Sequence, residues 1–276
     1  MAVGGGSYHW RVGAFWVTAD DLAQKPLGGL LAALQTAAAL REAALDFVVA
    51  PLAALDGRLV VQPTPRWALA LYPYLKGEGY EFHARLDADS ALELAEMLAA
   101  VHTAAVSAPD LAELVPVRGE LERALNDLDS PWNAGPYSER ARQATAARAG
   151  LIRALLRELD ELSEAVGAGS DVTTHGEPHP GNLLRVGGRL VLLDWDTVAR
   201  APRERDLCWL DGHPEALEHY ARITGVAPDP RAMRLFRLRW RLDDIATFVS
   251  MLRAPHEVNE DTTRWIGWGI AAPGDG

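Results

Sequence analysis

Short apolar and aromatic runs, typical of β-strands, occupy the first 75 residues of the chain. Residues 8–12 and 15–19 are two such runs, and Gly13-Ala14 between them predicts a hairpin. Residues 30–45 instead repeat apolar side chains every three to four positions, which predicts one helix. Three further strands are predicted at residues 47–52, 58–61 and 67–72.

Helical periodicity dominates after residue 75. The predicted helices are residues 90–106, 138–166, 204–210, 214–224, 231–252 and 259–268. Short strands at 172–174, 183–186 and 190–193 interrupt them, with Gly187-Gly188 as a hairpin turn. The pattern predicts an α+β chain with a small β-rich lobe over residues 1–75 and a larger, mostly helical lobe over 76–276. The two lobes meet at residues 76–79, a flexible join of sequence Lys-Gly-Glu-Gly.

The charge balance excludes one class of partner. With 27 basic and 38 acidic residues, the 276-residue chain has a formal net charge of −11. A protein that coats nucleic acid needs a basic face to neutralise phosphates, so nucleic acid is not expected as a partner. The excess of acidic residues is compatible with a cationic small molecule as the ligand.

The chain is expected to be a soluble, cytoplasmic protein. It opens without a basic segment followed by an apolar stretch, and no apolar run approaches the roughly 20 residues of a membrane span. Cys208 is the single cysteine, which excludes an internal disulfide and a multi-cysteine zinc site. We interpret Cys208 as a buried small hydrophobic residue rather than a reactive thiol.

Reactive side chains are concentrated in residues 175–182, His-Gly-Glu-Pro-His-Pro-Gly-Asn, and in Asp194-Trp195-Asp196. The predicted hairpin between these two segments returns the chain to its starting point, which brings Asn182 near Asp194. Amide and carboxylate oxygens of this kind are ligands that Mg²⁺ accepts together with substrate phosphates. Glu177 would then lie beside the metal, where it could orient or deprotonate an incoming hydroxyl group.

These motifs resemble the signature of the aminoglycoside phosphotransferases, which share the protein-kinase-like fold. The family pattern is His-Gly-Asp, four variable residues and Asn, followed by a strand that ends in Asp-Trp or Asp-Phe. Residues 194–207 and 239–246 are similar to the spectinomycin phosphotransferase branch. The resemblance implies a two-lobed kinase-like fold with an abbreviated N-terminal lobe. It also implies ATP- and Mg²⁺-dependent phosphorylation of a hydroxyl group on an aminoglycoside or aminocyclitol antibiotic, an activity that confers antibiotic resistance.

The resemblance assigns roles to the motif residues. Glu177 takes the place of the catalytic base, and His175 packs to shape the catalytic loop. Asn182 and Asp194 take the places of the two metal ligands.

Two more residues are expected to support this loop. Asp206 takes the place of a structural acid. His179 is expected to form supporting hydrogen bonds rather than bind the metal, because the hard Mg²⁺ ion prefers oxygen ligands.

The nucleotide site is predicted at two places in the small lobe. The glycines of Gly4-Gly5-Gly6-Ser7 would let backbone N–H groups approach phosphates, which makes Gly5, Gly6 and Ser7 candidate contacts. The segment containing Tyr72 and Tyr74 resembles the hinge between kinase lobes, where backbone groups pair with adenine.

Carboxylates and flat aromatic rings in the last third of the chain are candidate contacts for a cationic ring substrate. The candidates are Asp211, Asp243, Asp244 and Trp240. Helical spacing would place Asp243 or Asp244, but not both, toward a cleft.

The chain departs from the family pattern at three points. Glu177 stands where the family has aspartate, which moves the carboxylate by about 1.5 Å, one C–C bond. Thr18 lies near the position of the phosphate-pairing lysine, and Lys25 is expected to lie too far beyond that strand to reach the site. Met1 lies almost at the glycine-rich segment, so the first strand of the lobe is expected to be missing or short.

Two alternatives to the antibiotic kinase stay open. Thr18 and Glu177 favour a pseudokinase that binds or regulates without efficient transfer. A kinase of a small metabolic alcohol, such as a choline-like or homoserine-like compound, shares every motif quoted above.

Overall fold

A computed structural model describes residues 7–167 and 171–259, together with residues 262, 263 and 266. Gly5, Gly6 and most of the predicted helix at 259–268 lie outside the described residues. The chain divides into two compact units, Met1–Leu111 with Ala168–Asp229, and Ala112–Gly167 with Pro230–Gly276. The predicted lobe boundary between residues 75 and 76 lies inside the first unit and stays a prediction.

The first unit begins with a four-stranded antiparallel sheet of order β1-β2-β4-β3. Its strands are β1 (Ser7–Val12), β2 (Phe15–Asp21), β3 (Val60–Val61) and β4 (Trp67–Pro73). β1 and β2 form the predicted hairpin, and Gly13 occupies its turn with a φ of 62°. Helix α1 (Leu27–Glu42) covers the sheet, because Leu30 and Leu34 form one buried cluster with Ala68 and Ala70.

The strand predicted at residues 47–52 is wrong. Val48 forms only an isolated bridge to Leu192, and Val49 N–H donates to the Leu192 carbonyl at 3.1 Å. Residues 48–51 are buried, so the apolar run indicated burial correctly but not sheet pairing. Pro51 has no N–H to offer a continued ladder.

The rest of the first unit combines short sheets with three helices. Its elements are β5 (Glu78–Gly79), α2 (Ala88–Thr103), β6 (Val172–Thr174), β7 (Leu183–Val186), β8 (Arg189–Leu192), β9 (Ala199–Ala201), α5 (Glu204–Leu207) and α6 (Pro214–Thr224). The strands form two sheets, β5-β7-β8 and β6-β9, and α2 packs against α6. Residues 78 and 79, which were predicted as part of a flexible join, instead pair with β7. Cys208 is buried, as predicted.

The second unit is helical over its described residues. Helix α7 (Pro230–Arg253) packs against both α3 (Arg118–Asn126) and α4 (Ser138–Val166). Ion pairs also join these helices, such as Arg234 to Glu158 at 2.8 Å. Periodicity predicted α4 and α6 with the observed limits. Among the described helices, none has the length and apolarity needed to cross a membrane.

Replacing Asp87 with alanine should lower the free energy of unfolding by about 1 kcal/mol. Asp87 is the N-cap of α2, and its Oδ1 accepts a hydrogen bond from the Ser90 N–H at 2.7 Å. Urea denaturation measures the change. Asp87→Asn is the matched control, because asparagine caps helices as well as aspartate and should leave the stability close to that of the parent. Equal losses in both variants would contradict the capping role.

Candidate active site

One wall of a cavity of about 260 Å³ is the N-terminal sheet of the first unit. Ser7 pairs with Asp20 and His9 with Thr18 across the β1–β2 ladder, and paired residues share a face of the sheet. Tyr72 of β4 lies on the same face. These five residues line the cavity.

The opposite wall consists of loops that the β7–β8 hairpin brings together. Glu177, Asp194, Asp196 and Thr197 all line the cavity. Asn182 connects the two loops: its side-chain Nδ2 donates to the Glu177 carbonyl at 2.9 Å, and its backbone carbonyl accepts from Leu193 N–H at 2.9 Å. The sequence argument that the hairpin returns Asp194 to the region of Asn182 and Glu177 therefore agrees with the chain path.

Asp206 fixes the loop that precedes Glu177. Its fully buried carboxylate accepts hydrogen bonds from the backbone N–H groups of His175 at 2.8 Å and Gly176 at 2.6 Å, and from His102 Nε2 at 3.0 Å. Burial alone would raise the pKa of Asp206. The hydrogen bond from His102 and the charge of the nearby Arg205 outweigh burial and hold that pKa below its usual value.

His175 connects the same loop to the strand end before Asp194. Its Nε2 bonds to the Leu193 carbonyl at 2.8 Å, and its Nδ1 accepts from Glu177 N–H at 3.2 Å. A carbonyl only accepts and a backbone N–H only donates, so the proton is on Nε2 and the ring is neutral. Burial agrees with this, because it lowers the pKa of His175. His175 thus acts on the backbone at both motifs.

Gly176 is required where it stands. Its φ is 102°, and a Cβ atom there would lie 2.3 Å from the guanidinium of Arg205. That guanidinium is held by Thr174 Oγ1 and the Thr197 carbonyl, both at 2.8 Å. The loop therefore crosses directly over a fixed, buried arginine.

Asp194 carries both conformational and electrostatic strain. Its φ of 59° is in the left-handed region, which few non-glycine residues occupy. The neighbouring Asp196 carboxylate and burial both raise the pKa of Asp194 well above its ordinary value. Such strain is found preferentially at functional sites.

Lys25 lines the cavity, so the expectation that it lies too far along the chain is wrong. Its Nζ contacts the carboxylate of Asp196, lies 3.3 Å from Asp20 Oδ1 and donates to Ser7 Oγ at 3.0 Å. Burial alone would lower the pKa of Lys25, but the carboxylates of Asp196 and Asp20 outweigh it and raise that pKa. Lys25 is therefore a charged ammonium group among carboxylates.

The two predicted hinge tyrosines have different surroundings. Tyr72 faces the acidic cavity, and burial raises the pKa of its phenol. Tyr74 donates its N–H to the Ala14 carbonyl at 2.8 Å, and its ring lies 3.9 Å beneath the guanidinium carbon of Arg11. Ser7 is the member of the predicted glycine-rich segment that the structure describes, and it lines the cavity.

His179 is buried between the rings of Phe82 and Trp209, with centroid distances of 4.4 and 5.2 Å. Its Nε2 lies 4.0 Å from Glu177 Oε2. Burial lowers the pKa of His179 to about 4, so the ring is neutral at physiological pH. His179 packs behind the Glu177 side chain.

The predicted substrate residues are spread over both units. Asp211 is exposed and follows a 3₁₀ turn in the first unit. Asp243, Asp244 and Trp240 lie on α7 of the second unit. Asp243 pairs with Arg239 one turn away, at 3.3 Å, while burial raises the pKa of Asp243. Their contact with a substrate stays a prediction.

Sequence reasoning missed Asp20, gave Asp196 no separate role and expected Lys25 to lie out of reach, although all three line the cavity. A signal for Lys25 was available, because Lys25 and Lys76 are the only lysines among 27 basic residues. A lysine retained in an arginine-rich chain is worth testing as a functional group.

Comparisons with known proteins identify the family of the chain. Residues 11–236 match the model of the phosphotransferase enzyme family. Protein StrN of Streptomyces griseus is 26% identical over 94% of this chain and 81% of its own length.

Two solved structures show the same fold. The spectinomycin phosphotransferase APH(9)-Ia, in complex with ADP and spectinomycin, has a TM-score of 0.75 at 17% identity, over 97% of this chain and 87% of that one. A choline/ethanolamine kinase family protein from Mesorhizobium loti has a TM-score of 0.58 at 14% identity, over 96% and 85%. The chain therefore belongs to the phosphotransferase enzyme family, has the protein-kinase-like fold and is a small-molecule kinase.

Proposed function

We propose that this enzyme transfers the γ-phosphoryl group of ATP to a hydroxyl group of a small cationic compound, an aminoglycoside or aminocyclitol. The observation that carries the proposal is the presence of Glu177 and Asp194 on the wall of one cavity, opposite the N-terminal sheet. The similarity to a spectinomycin phosphotransferase in complex with ADP and spectinomycin supports this substrate class. A cytoplasmic location, where ATP is available, is part of the proposal.

The donor atoms at the site suit Mg²⁺. The described residues contain no group of three or more His, Cys, Asp or Glu side chains placed to hold a metal ion alone. Mg²⁺ in kinases needs only one or two protein oxygens, because nucleotide phosphates and water complete its shell. Asp194 offers a carboxylate beside other carboxylates, and the amide of Asn182 keeps an oxygen while its nitrogen binds Glu177. When bound, Mg²⁺ would neutralise phosphate charge.

Glu177 is the group that we assign to the acceptor hydroxyl. During transfer, a bond forms between the acceptor oxygen and the γ-phosphorus, the bond from that phosphorus to the β,γ-bridging oxygen breaks, and the hydroxyl proton passes to the Glu177 carboxylate. The transition state of phosphoryl transfer is loose, so this carboxylate acts mainly by positioning the hydroxyl. Hydrogen bonds hold both the N–H and the carbonyl of residue 177, which fixes the base of the side chain.

A cationic acceptor is favoured by the charge of the molecule and of the cavity. Asp20, Glu177, Asp194 and Asp196 place four carboxyl groups on the cavity wall, and the whole chain has a formal net charge of −11.

A kinase of a small amino alcohol is the second candidate. The similarity to a choline/ethanolamine kinase family protein favours it. Both candidate classes are hydroxylated cations, so the same cavity charge suits each.

A phosphorylation panel should identify one acceptor class. With Mg·ATP, spectinomycin, other aminocyclitols and aminoglycosides should be phosphorylated, whereas choline, ethanolamine and homoserine should not; mass spectrometry of the acceptor detects the 80 Da gain of a phosphoryl group. Preference for the simple alcohols would select the second candidate. If no acceptor is phosphorylated and millimolar Mg·ATP does not raise the melting temperature, the pseudokinase is favoured. A ligand that binds only the folded state must stabilise that state, so an absent shift means that the nucleotide does not bind.

Glu177→Gln should lower kcat by about 10²–10⁴-fold, the range typical of a lost general base. The KM for ATP should change little, because the amide keeps the size of the side chain. Glu177→Asp is the matched control and should retain most activity, since it keeps the carboxylate. An Asp variant as inactive as the Gln variant would show that the loop requires the longer side chain, and a fully active Gln variant would refute the base assignment.

Asp194→Asn should lower kcat at least about 100-fold while the melting temperature stays equal or rises. Asparagine tolerates the left-handed backbone of residue 194, and removing one carboxylate relieves repulsion from Asp196. Steady-state kinetics and differential scanning fluorimetry measure the two effects. Full activity in this variant would exclude Asp194 as a metal ligand.

A further inference from the structure

We propose that Lys25 is the phosphate-contacting cation of this enzyme and supplies, from outside the strand, the charge that Thr18 lacks. This inference rests on the nucleotide-dependent function proposed above. Thr18 and Lys25 line the same cavity, although seven positions separate them in the chain. A lysine at either place could therefore direct its ammonium group into the same space.

A tight turn after β2 brings Lys25 back to the strand. The Asp21 carbonyl accepts from the N–H of Lys25 at 3.0 Å, and Asp21 Oδ1 accepts from Ala23 N–H at 3.1 Å. Asp21 itself faces away from the cavity and pairs with Arg66 at 2.6 Å. Pro26 then begins α1. Lys25 is thus placed between an anchored turn and a helix start.

Lys25 is surrounded by carboxyl groups in the cavity, where a positive charge is needed to bind phosphates. Among the described residues that line the cavity, Lys25 is the only lysine or arginine, while four residues carry carboxyl groups. The triphosphate of a nucleotide would meet repulsion from these carboxyl groups without a cation that faces it. Contacts to Asp20 and Ser7 on the sheet side and to Asp196 on the loop side hold the ammonium group between the two walls of the cavity.

Lys76 is an internal control for experiments on Lys25. Lys76 is exposed and does not line the cavity described above. With two lysines in the sequence, one inside and one outside the cavity, any lysine-specific chemistry can be assigned by peptide mapping.

Covalent labelling tests the location of Lys25 in the unmodified protein. An acyl-phosphate derivative of ADP acylates an amine next to the bound phosphates and releases ADP. We expect acylation of Lys25 that excess Mg·ATP suppresses, and slow labelling of Lys76 that Mg·ATP does not change. Labelling of Lys25 at the rate of Lys76, without protection by Mg·ATP, would overturn the proposal.

Nucleotide affinity tests the role of the charge. Isothermal titration with Mg·ATP should show at least a 10-fold weaker Kd for Lys25→Met and an unchanged Kd for Lys76→Met. The double variant Thr18→Lys/Lys25→Met should recover a large part of the lost affinity, because it returns an ammonium group to the same cavity. If Lys25 only supported the structure, a lysine at position 18 would not restore the affinity for Mg·ATP that Lys25→Met loses. Melting temperatures are measured in parallel, since Lys25 also offsets Asp20 and Asp196.

The outcomes separate this proposal from the function on which it rests. If the parent protein binds no Mg·ATP and phosphorylates no acceptor, both the proposed kinase function and the proposed role of Lys25 are refuted. A parent that binds Mg·ATP, with a Lys25→Met variant that binds equally well, would leave the proposed function intact and refute the role of Lys25. If Lys25→Met does not fold, the acyl-phosphate labelling of the parent protein is compared with that of Lys25→Arg. The arginine variant keeps the positive charge, and the acylation assigned to Lys25 should be absent from it.

Discussion

Repulsion among carboxyl groups is the constraint that determines what this site can hold. Asp20, Glu177, Asp194 and Asp196 line one cavity, and like charges interact strongly where water is partly excluded. The raised pKa of Asp194, caused first by Asp196 and then by burial, is a direct consequence. Lys25 offsets part of this charge. The remainder favours ligands that bring positive charge, such as the divalent ion and the cationic acceptor proposed above, whereas the phosphates of a nucleotide need cations to face them.

The carboxyl groups stay close because the backbone that carries them is fixed by buried polar contacts. Gly176 and Asp194 both have positive φ values, of 102° and 59°. Asp206 binds the N–H of Gly176, while His175 connects the loop to the Leu193 carbonyl beside Asp194. Strained backbone persists only where surrounding contacts determine it. Asp206 and His175 do not line the cavity, but by fixing the two loops they keep its carboxyl groups close together.

The sequence predicted what depends on local pattern and spacing. Periodicity was sufficient for α4 and α6, because their buried positions recur every three to four residues. The motif spacing placed Glu177 and Asp194 together, since a short hairpin must return the chain. The strand predicted from the apolar run at residues 47–52 was wrong, because a short buried segment has the same apolar pattern whether or not it pairs in a sheet. Lys25 was expected to lie out of reach for another reason: its position depends on a turn at Asp21, and side-chain reach across a turn leaves no periodic pattern.

Two of the three departures from the family pattern, Thr18 and Glu177, have physical counterparts in the same cavity. Charge acts through its position in space rather than through its position in a strand, so Thr18 does not by itself imply a site without a cation when Lys25 lies nearby. At residue 177 the backbone is held at both its N–H and its carbonyl, so only the side-chain torsions of Glu177 decide where its carboxylate lies in the cavity. Glutamate has one more of these torsions than aspartate, so its carboxylate can meet an acceptor hydroxyl at the distance that aspartate would reach or further from the loop. What the proposed reaction requires at residue 177 is therefore a carboxylate near the hydroxyl, and the length of the side chain is secondary.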